Sequence, residues 1–289
     1  MGFIGATVKH VAAETARLNN EPVDEEALDR VKLTHPNGVG EAIWLTAKTT
    51  PLVRDLAVKF LSTSRDRGFV IGDHPVVAMN QFAEDHPKLS RLGNITAPVA
   101  KGLLLFLPLS SSLSVVLYDP KTYEFDVSRR VCNIGPRDVL LLNMAQAVNC
   151  MECVFFDSER LDDGMTSKLV EIKKGHRNVH KSEVRGGTMR KEDGKVRQIV
   201  ETVRNDIRVG ARFSFLRVTD RLSYDEYDAP FAPVRSWELV EMTEAYGELL
   251  ERVVETRRQK EEQGASDTKL DEEEIWQAAL AVTAGRRGW

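Results

Sequence analysis

The stretch from Gly68 to Pro120 constrains the fold most, because it holds two pairs of predicted strands in a chain whose other patterns are mostly helical or polar. The first pair lies within residues 68–80, on either side of a Gly-Asp-His-Pro turn at 72–75. The second pair lies within residues 103–120, around a Pro-Leu-Ser-Ser-Ser turn. Runs of β-branched and large apolar residues bounded by Gly, Pro, Ser and Asp are typical of strands. Since these runs are apolar at consecutive positions, they predict strands covered on both faces.

The remaining patterns predict an α+β fold class, with a small, mostly antiparallel sheet packed against N-terminal helices and one long C-terminal helix. Helical stripes of apolar residues cover 3–18, 24–31, 41–61 with a break at Pro51, 138–149, 237–260 and 271–280, and strand patterns cover 123–127, 154–157 and 211–218. Residues 82–98 form a long polar loop, and residues 158–200 have a basic, linker-like composition.

The same patterns predict how the chain divides into domains. We expect one α+β domain over residues 1–235, with a basic flexible segment near 173–197. A C-terminal helical extension over residues 236–289 then packs on that domain or projects from it. No internal repeat is visible in the sequence.

Charge and cysteine content exclude several classes of protein. The formal net charge of −4 argues against general affinity for nucleic acid or an anionic membrane. Three cysteines in 289 residues favour a reducing compartment over a disulfide framework. No apolar run reaches the roughly 18 residues that span a bilayer, and the N-terminus lacks the pattern of a signal peptide. We therefore expect a soluble, cytoplasmic protein.

The turn at 72–75 supplies the candidate catalytic residues, Asp73 and His74. If both side chains project from strand ends into a cleft, they form an acid–base pair or a metal-binding pair. The alternative is structural, because an Asp in such a turn normally accepts backbone N–H groups. Asn80 and Asn143 are candidate ligand-binding residues that could reach the same cleft, or could satisfy nearby backbone groups.

Two further motifs have the spacing of metal or redox sites, but the residues around them do not fit such sites. Cys150 and Cys153 are three residues apart, yet they follow a predicted helix instead of opening one, which favours buried small apolar side chains. His176 and His180 have the i,i+4 spacing of two metal ligands, but their basic surroundings favour a solvated loop. We therefore predict no metal site, and no cofactor follows from the sequence. Glycine-rich dinucleotide, phosphate-loop and hydrolase-elbow motifs are absent from the sequence.

Three segments in order resemble an uncharacterised bacterial and fungal family, domain of unknown function four-two-three-eight. They are Phe69-Val-Ile-Gly-Asp-His-Pro-Val76, then Phe106-Leu-Pro-Leu-Ser110 with Leu117-Tyr-Asp-Pro120, and Leu142-Asn143. The family pattern is Phe-x-Thr-Ser-Asp-x-Pro-Val, a later Phe-Pro-Leu-Ser-Pro with Tyr-Asp, and a helix that bears an Asn. The resemblance covers about residues 40–157.

The chain departs from that pattern at several positions. Gly72 stands where the family has Ser, Ser111 stands where it has the second Pro, and its usual N-terminal His-x-x-Pro start is not visible. The resemblance implies a fold and a short set of positions, but no reaction.

Three functions are therefore open at the level of sequence. The first is binding, or hydrolysis, of a small or phosphorylated ligand in a cleft near Asp73. The second is a non-catalytic interaction protein that docks a protein partner on the apolar face of helix 237–260. The third and weakest is nucleic-acid binding through residues 173–197. The sequence does not decide whether the protein is an enzyme, and it identifies no specific partner.

Overall fold

The structure, a computed structural model, describes residues 38–63, 67–125, 129–160, 163–175, 182–190, 196–204, 210–220, 224 and 232–262. Its helices are α1 Gly38–Thr49, α2 Gln81–Asp85, α3 Pro136–Asn149, α4 Asp163–Gly175 and α5 Trp237–Glu262, with 3-10 turns at Thr50–Val53 and Leu89–Arg91. Its strands are β1 Ala57–Ser62, β2 Ile71–Gly72, β3 Val77–Met79, β4 Leu104–Ser110, β5 Leu113–Tyr118, β6 Tyr123–Phe125, β7 Val131–Asn133, β8 Val154–Phe155, β9 Ser182–Arg190, β10 Val196–Arg204 and β11 Leu216–Val218. The predicted helices at 3–18, 24–31 and 271–280, and the histidines at 176 and 180, lie outside these residues.

The central sheet has five strands in the order β3-β4-β5-β1-β7. All neighbours are antiparallel except β1 and β7, which run parallel. The shorter pairs β2–β8, β6–β11 and β9–β10 are each antiparallel and separate from this sheet. Together with the long C-terminal helix, this arrangement confirms the predicted α+β fold class.

The core lies where α3 covers the central sheet. Leu61, Phe106 and Val116 from the sheet are buried in one cluster with Val139 of α3 and with Phe213. Residues Gly135-Pro-Arg-Asp138 allow two helix starts, a cap at Asp138 or Pro136 at the first helical position, and α3 has the second. Gly135 is extended and Pro136 opens the helix, where its missing N–H costs no intrahelical bond.

The prediction of a helix over 41–61 is correct only in its first part. α1 ends at Thr49, and Ala57–Ser62 is strand β1, paired with β5 and β7. Apolar residues at 56, 57, 60 and 61 fit a helical stripe as well as a strand, and short apolar runs are ambiguous for this reason. Partners supplied by β5 and β7, distant in sequence, decide the outcome.

The two predicted strands of 68–80 exist, but they do not pair with each other. β2 pairs with β8, whereas β3 pairs with β4 at the edge of the central sheet. The turn at Asp73 therefore connects two different sheets. The second predicted pair is a true hairpin, β4–β5. Leu104, Phe106 and Pro108 on one face of β4 are buried, and the other face is only half-buried, so it is not doubly covered as predicted.

Residues 158–200, which the composition predicts to be linker-like, contain α4, the whole of β9 and the start of β10. The two strands form a hairpin of nine paired residues on each side. The predicted strand at 211–218 is shorter than expected, with β11 limited to Leu216–Val218. The domain division at residue 235 stays a prediction.

The long helix α5 covers the 237–260 pattern and packs on α1. Ala245, Tyr246 and Leu250 are buried there, with Trp44 and Ala47 of α1 against them. Just before α5, the guanidinium of Arg235 is 1% exposed and pairs with Asp55 at 2.7 Å. It also donates to the carbonyls of Leu52 and Ala100, and so links the 3-10 turn after α1 to the chain before β4.

Candidate functional site

The carboxylate of Asp73 is occupied by backbone donors from the loop that follows α3. It accepts the N–H groups of Met151 and Glu152 at 2.8 Å and that of Cys153 at 3.4 Å. The bond from Glu152 does most to hold the pKa of Asp73 below its ordinary value of 3.8, while desolvation opposes it. A carboxylate held ionised in this way is a poor proton acceptor near neutral pH.

The rest of the turn is held by side chains from the end of α3. Gln146 accepts the N–H of Gly72 at 3.0 Å and donates to the carbonyl of Pro75 at 2.7 Å. Asn149 donates to the carbonyl of His74 at 2.7 Å. The His74 side chain is exposed. No cis peptide occurs among the described residues, so Pro75 follows a trans bond.

The two candidate asparagines lie on different elements, and backbone groups take up their amides. Asn80 caps α2 by accepting the N–H of Ala83 at 2.9 Å, and it donates to the carbonyls of Ile95 and Lys101 at 2.6 and 2.7 Å. Asn143 instead bonds the chain leading into β2. Asn143 and Asp73 thus both fix the segment around β2, whereas Asn80 fixes the chain before β4. Their proposed contact with a ligand, and the catalytic roles of Asp73 and His74, stay predictions.

Beside the Asp73 turn, a hollow of about 440 Å³ opens between α3, β8 and α4. We call it the α4 hollow. Its apolar wall consists of Ala147, Val154, Phe156, Leu169 and Val170. Its polar lining consists of Cys150, Glu152, Thr166, Lys173 and Lys174. The Asp73 carboxylate therefore holds the loop that forms one side of this hollow.

Lys173 is fixed in the lining because it caps the end of α3. Its ammonium group donates to the carbonyls of Val148, at 3.2 Å, and Cys150. These are carbonyls at the helix C-terminus, where a cation is favourable. The same ammonium group also hydrogen-bonds the side chain of Cys150, so Lys173 offers a ligand its positive charge. The neighbouring Lys174 is exposed on the same lining.

The cysteines at 150 and 153 do not supply a nucleophile to the hollow. The Cys150 thiol is buried and donates to the carbonyl of Ala147 at 3.0 Å, and burial raises its pKa. A thiol, unlike a thiolate, is a weak nucleophile. Cys153 is exposed and unbridged. The prediction that both cysteines are buried small apolar side chains is therefore correct for Cys150 and wrong for Cys153.

A second hollow, of about 320 Å³, lies on the opposite face of the β2–β8 pair. We call it the turn hollow, since Pro108–Ser111 of the β4–β5 turn form one side of it. Phe69, Ile71, Phe155, Phe156 and Asp157 form the remainder. Phe156 thus borders both hollows.

Sequence reasoning missed this region. The segment 154–157 predicts a strand, but its run of three apolar residues gives no sign that Phe155 and Phe156 are 60% and 48% exposed. The only available signal was the adjacency of two Phe residues to a polar Asp-Ser-Glu segment. In the part of the chain that the structure describes, no cluster of three or more His, Cys, Asp or Glu side chains is arranged to hold a metal ion. Within the same residues, no helix has the length and hydropathy needed to cross a membrane.

Comparison with known proteins gives one match. The family model described as Protein of unknown function (DUF4238) matches residues 13–160, about half of the chain. The matched region includes β1 to β8, the Asp73 turn and α3, whereas α4 and α5 lie beyond it. Comparison with curated proteins and comparison with solved structures gave no match. The predicted resemblance is therefore confirmed, and the chain belongs to the DUF4238 family of proteins of unknown function.

Proposed function

We propose that the protein binds a mostly apolar ligand with an anionic group in the α4 hollow, without a chemical step at the Asp73 turn. The observation that carries this proposal is an apolar hollow beside the Asp73 turn, with two lysines on its lining. Its volume of about 440 Å³ falls within the range of roughly 300–1,000 Å³ that is typical of ligand sites. Apolar walls with few polar groups are the usual composition of such sites.

Charge fixes the orientation of the ligand. Lys173 and Lys174 lie near the C-terminal end of α4, whereas Glu152 lies on the loop after α3. An anion is therefore stabilised beside the lysines and repelled near Glu152. The apolar part of the ligand then contacts Val154 and Leu169 on the wall.

The binding proposal is favoured over hydrolysis because the carboxylate of Asp73, one of the two catalytic candidates, is already engaged. It accepts three backbone N–H groups, and the nearby Cys150 thiol is buried. The binding proposal is also favoured over docking through α5, because that helix already buries Ala245, Tyr246 and Leu250 against α1.

The test is a fluorescence titration with 8-anilinonaphthalene-1-sulfonate, an aromatic probe with one anionic group. We expect saturable binding to the native protein, weakened roughly three- to tenfold by Lys174→Met, as expected for one partly solvated charge contact of about 0.6–1.4 kcal/mol. Lys168→Met is the matched control, because Lys168 is exposed on the same helix but does not line the hollow. Val170→Trp, a change at a half-exposed position of the wall, is expected to reduce binding by filling the hollow.

An uncharged relative of the probe, N-phenyl-1-naphthylamine, separates the two contributions. It should bind equally to the native protein and Lys174→Met, but more weakly to Val170→Trp. Cooperative thermal unfolding of each variant excludes binding to a loosened core. The proposal is wrong if the native, folded protein shows no saturable binding, or if Lys168→Met and Lys174→Met weaken it equally.

A further inference from the structure

We infer that β8 is a docking edge for an extended peptide, which pairs with its open side and places alternate side chains in the α4 hollow and the turn hollow. This inference rests on the proposed function, because it assigns the ligand of the α4 hollow to a chemical class. The peptide has apolar side chains directed at both hollows and an acidic one directed at the lysines.

The hydrogen-bonding pattern leaves one side of β8 open. Among the described residues β8 has a single neighbour, β2, with Ile71 opposite Phe155 and Gly72 opposite Val154. Asp73 donates its N–H to the carbonyl of Cys153 at 3.1 Å. Hydrogen-bonded and non-hydrogen-bonded pairs alternate in an antiparallel ladder. The N–H and C=O of Val154 therefore point away from β2, toward the open side.

The two faces of the β2–β8 pair each border one hollow. Phe155 and Ile71 line the turn hollow, whereas Val154 lines the α4 hollow. Successive side chains of a strand point to opposite faces. A strand added beside β8 continues the two faces, so its side chains alternate between the two hollows.

β8 carries part of the protection that natural edge strands have, since it is two residues long and is flanked by Glu152 and Asp157. Proline is absent from it, and among the described residues no second strand pairs with its open side. Here Phe155 and Phe156 are exposed at 60% and 48%, with Met151 and Leu109 exposed nearby at 56% and 52%. A patch of several large apolar side chains around an open strand is the expected form of a strand-addition site.

Charge differs between the two faces and selects the peptide. The α4 hollow is lined by Lys173 and Lys174 against one carboxylate, Glu152, whereas Asp157 is the charged side chain on the turn hollow. An acidic side chain is therefore stabilised on the α4 side and disfavoured on the other. The hexapeptide Ser-Leu-Phe-Asp-Val-Ser meets both conditions, since Leu and Asp share one face and Phe and Val share the other.

The experiment measures binding of this dye-labelled peptide to the native full chain by fluorescence anisotropy. Two versions carry backbone N-methyl groups, one on Leu and Asp and the other on Phe and Val. Only one of these sets directs its N–H groups toward β8, so one version should bind at least tenfold more weakly and the other should bind like the parent. Replacing Asp by Lys in the peptide should weaken binding to the native protein more than to Lys174→Met.

A protein variant tests the edge from the other side. Val154→Pro removes the outward N–H and leaves the β2 ladder at Phe155 in place. Because the Val154 side chain also lines the α4 hollow, Val154→Ala, which keeps the N–H, is the control. Val154→Pro should weaken the peptide more than Val154→Ala does, whereas the two variants should weaken 8-anilinonaphthalene-1-sulfonate to a similar extent. If Val154→Pro does not fold, the paired N-methyl peptides give the same information on the native protein.

The outcomes separate this inference from the function it rests on. Lysine-dependent binding of the sulfonate probe without peptide binding overturns the peptide inference and leaves the proposed function standing. Peptide binding that both N-methyl versions weaken equally, or that neither weakens, also overturns it. Absence of binding for both probe and peptide removes both proposals.

Discussion

Asn143 allows a quantitative test of how α3 holds the segment that leads into β2. Its side-chain oxygen accepts the N–H of Val70 at 3.0 Å, and its side-chain nitrogen donates to the carbonyl of Gly68 at 2.8 Å, with the residue 0% exposed. Asn143→Leu keeps the number and branching of the side-chain heavy atoms but leaves two buried backbone groups without partners. Each such group costs about 1–3 kcal/mol. We therefore expect the free energy of unfolding to fall by about 2–6 kcal/mol.

The assay is urea unfolding followed by far-UV circular dichroism and tryptophan fluorescence. Asn149→Ala is the matched control, because Asn149 of the same helix bonds two carbonyls on the other side of β2, those of His74 and Val76, but at a half-exposed position. Water replaces its bonds, so the expected loss is below about 1 kcal/mol. The midpoint should move with little change in the denaturant slope.

The reasoning is refuted if Asn143→Leu costs no more than Asn149→Ala at an equal slope. That result means that the Val70 and Gly68 backbone groups find other partners, and that the Asn143 amide is not needed by the fold. A ligand-binding role for Asn143 then becomes the better explanation of its place on α3.

Three further predictions concern pH, a buried ion pair and a constrained glycine. In the folded protein the pKa of Asp73 lies below its ordinary value of 3.8. The ionised carboxylate therefore stabilises the fold above that pH, and this stabilisation is lost as the pH falls through the folded pKa. The melting temperatures of Asp73→Asn and the native protein should differ at about pH 5 and converge in acid. Arg235→Met should lower the unfolding free energy by about 3–5 kcal/mol, and Asp55→Asn by less, since Asp55 is 27% exposed and Asn keeps an acceptor. Gly102→Ala should lower the melting temperature, because Gly102 has φ +76° and a Cβ there comes within 2.7 Å of the Asn80 oxygen.

Each of these has a clear opposite outcome. A constant difference between Asp73→Asn and native protein from neutral to acid pH contradicts the assigned charge interaction. An equal loss for Arg235→Met and Asp55→Asn contradicts the view that the carbonyls of Leu52 and Ala100 depend on the guanidinium. A Gly102→Ala variant as stable as the native protein means that the chain before β4 shifts easily; Gly135→Ala, where a Cβ meets nothing within 4 Å, is the control.

Local signals predicted the elements whose partners are near in sequence. The β4–β5 hairpin and the start of α3 at Pro136 follow from turn residues and capping patterns that act over a few positions. Strand β1 could not be predicted from local signals, because its neighbours β5 and β7 lie more than 50 residues further along the chain. A short apolar run such as 57–62 has the same pattern whether it forms a helix or pairs with distant strands.

The candidate site also has a part that local sequence predicts and a part that depends on the fold. A turn rich in Gly, Asp and Pro predicts a site near Asp73, and a hollow lies beside this turn in the structure. The donors to its carboxylate come from residues 151–153, and only the folded chain brings them together. The lysines of α4 belong to the basic cluster of residues 173–197 that the sequence shows, but their position beside an apolar wall depends on the packing of α4 against α3.

The clamp at Asp73 has a consequence for genetic screens. The amides that it holds belong to the residues immediately before β8, so a substitution at position 73 acts on β8 through the main chain. If β8 docks a peptide as inferred above, such a mutant should lose binding although every side chain that lines the two hollows is unchanged. Second-site substitutions that stiffen the 151–153 bend should then restore binding, whereas they should not if Asp73 supplies a chemical group to the ligand.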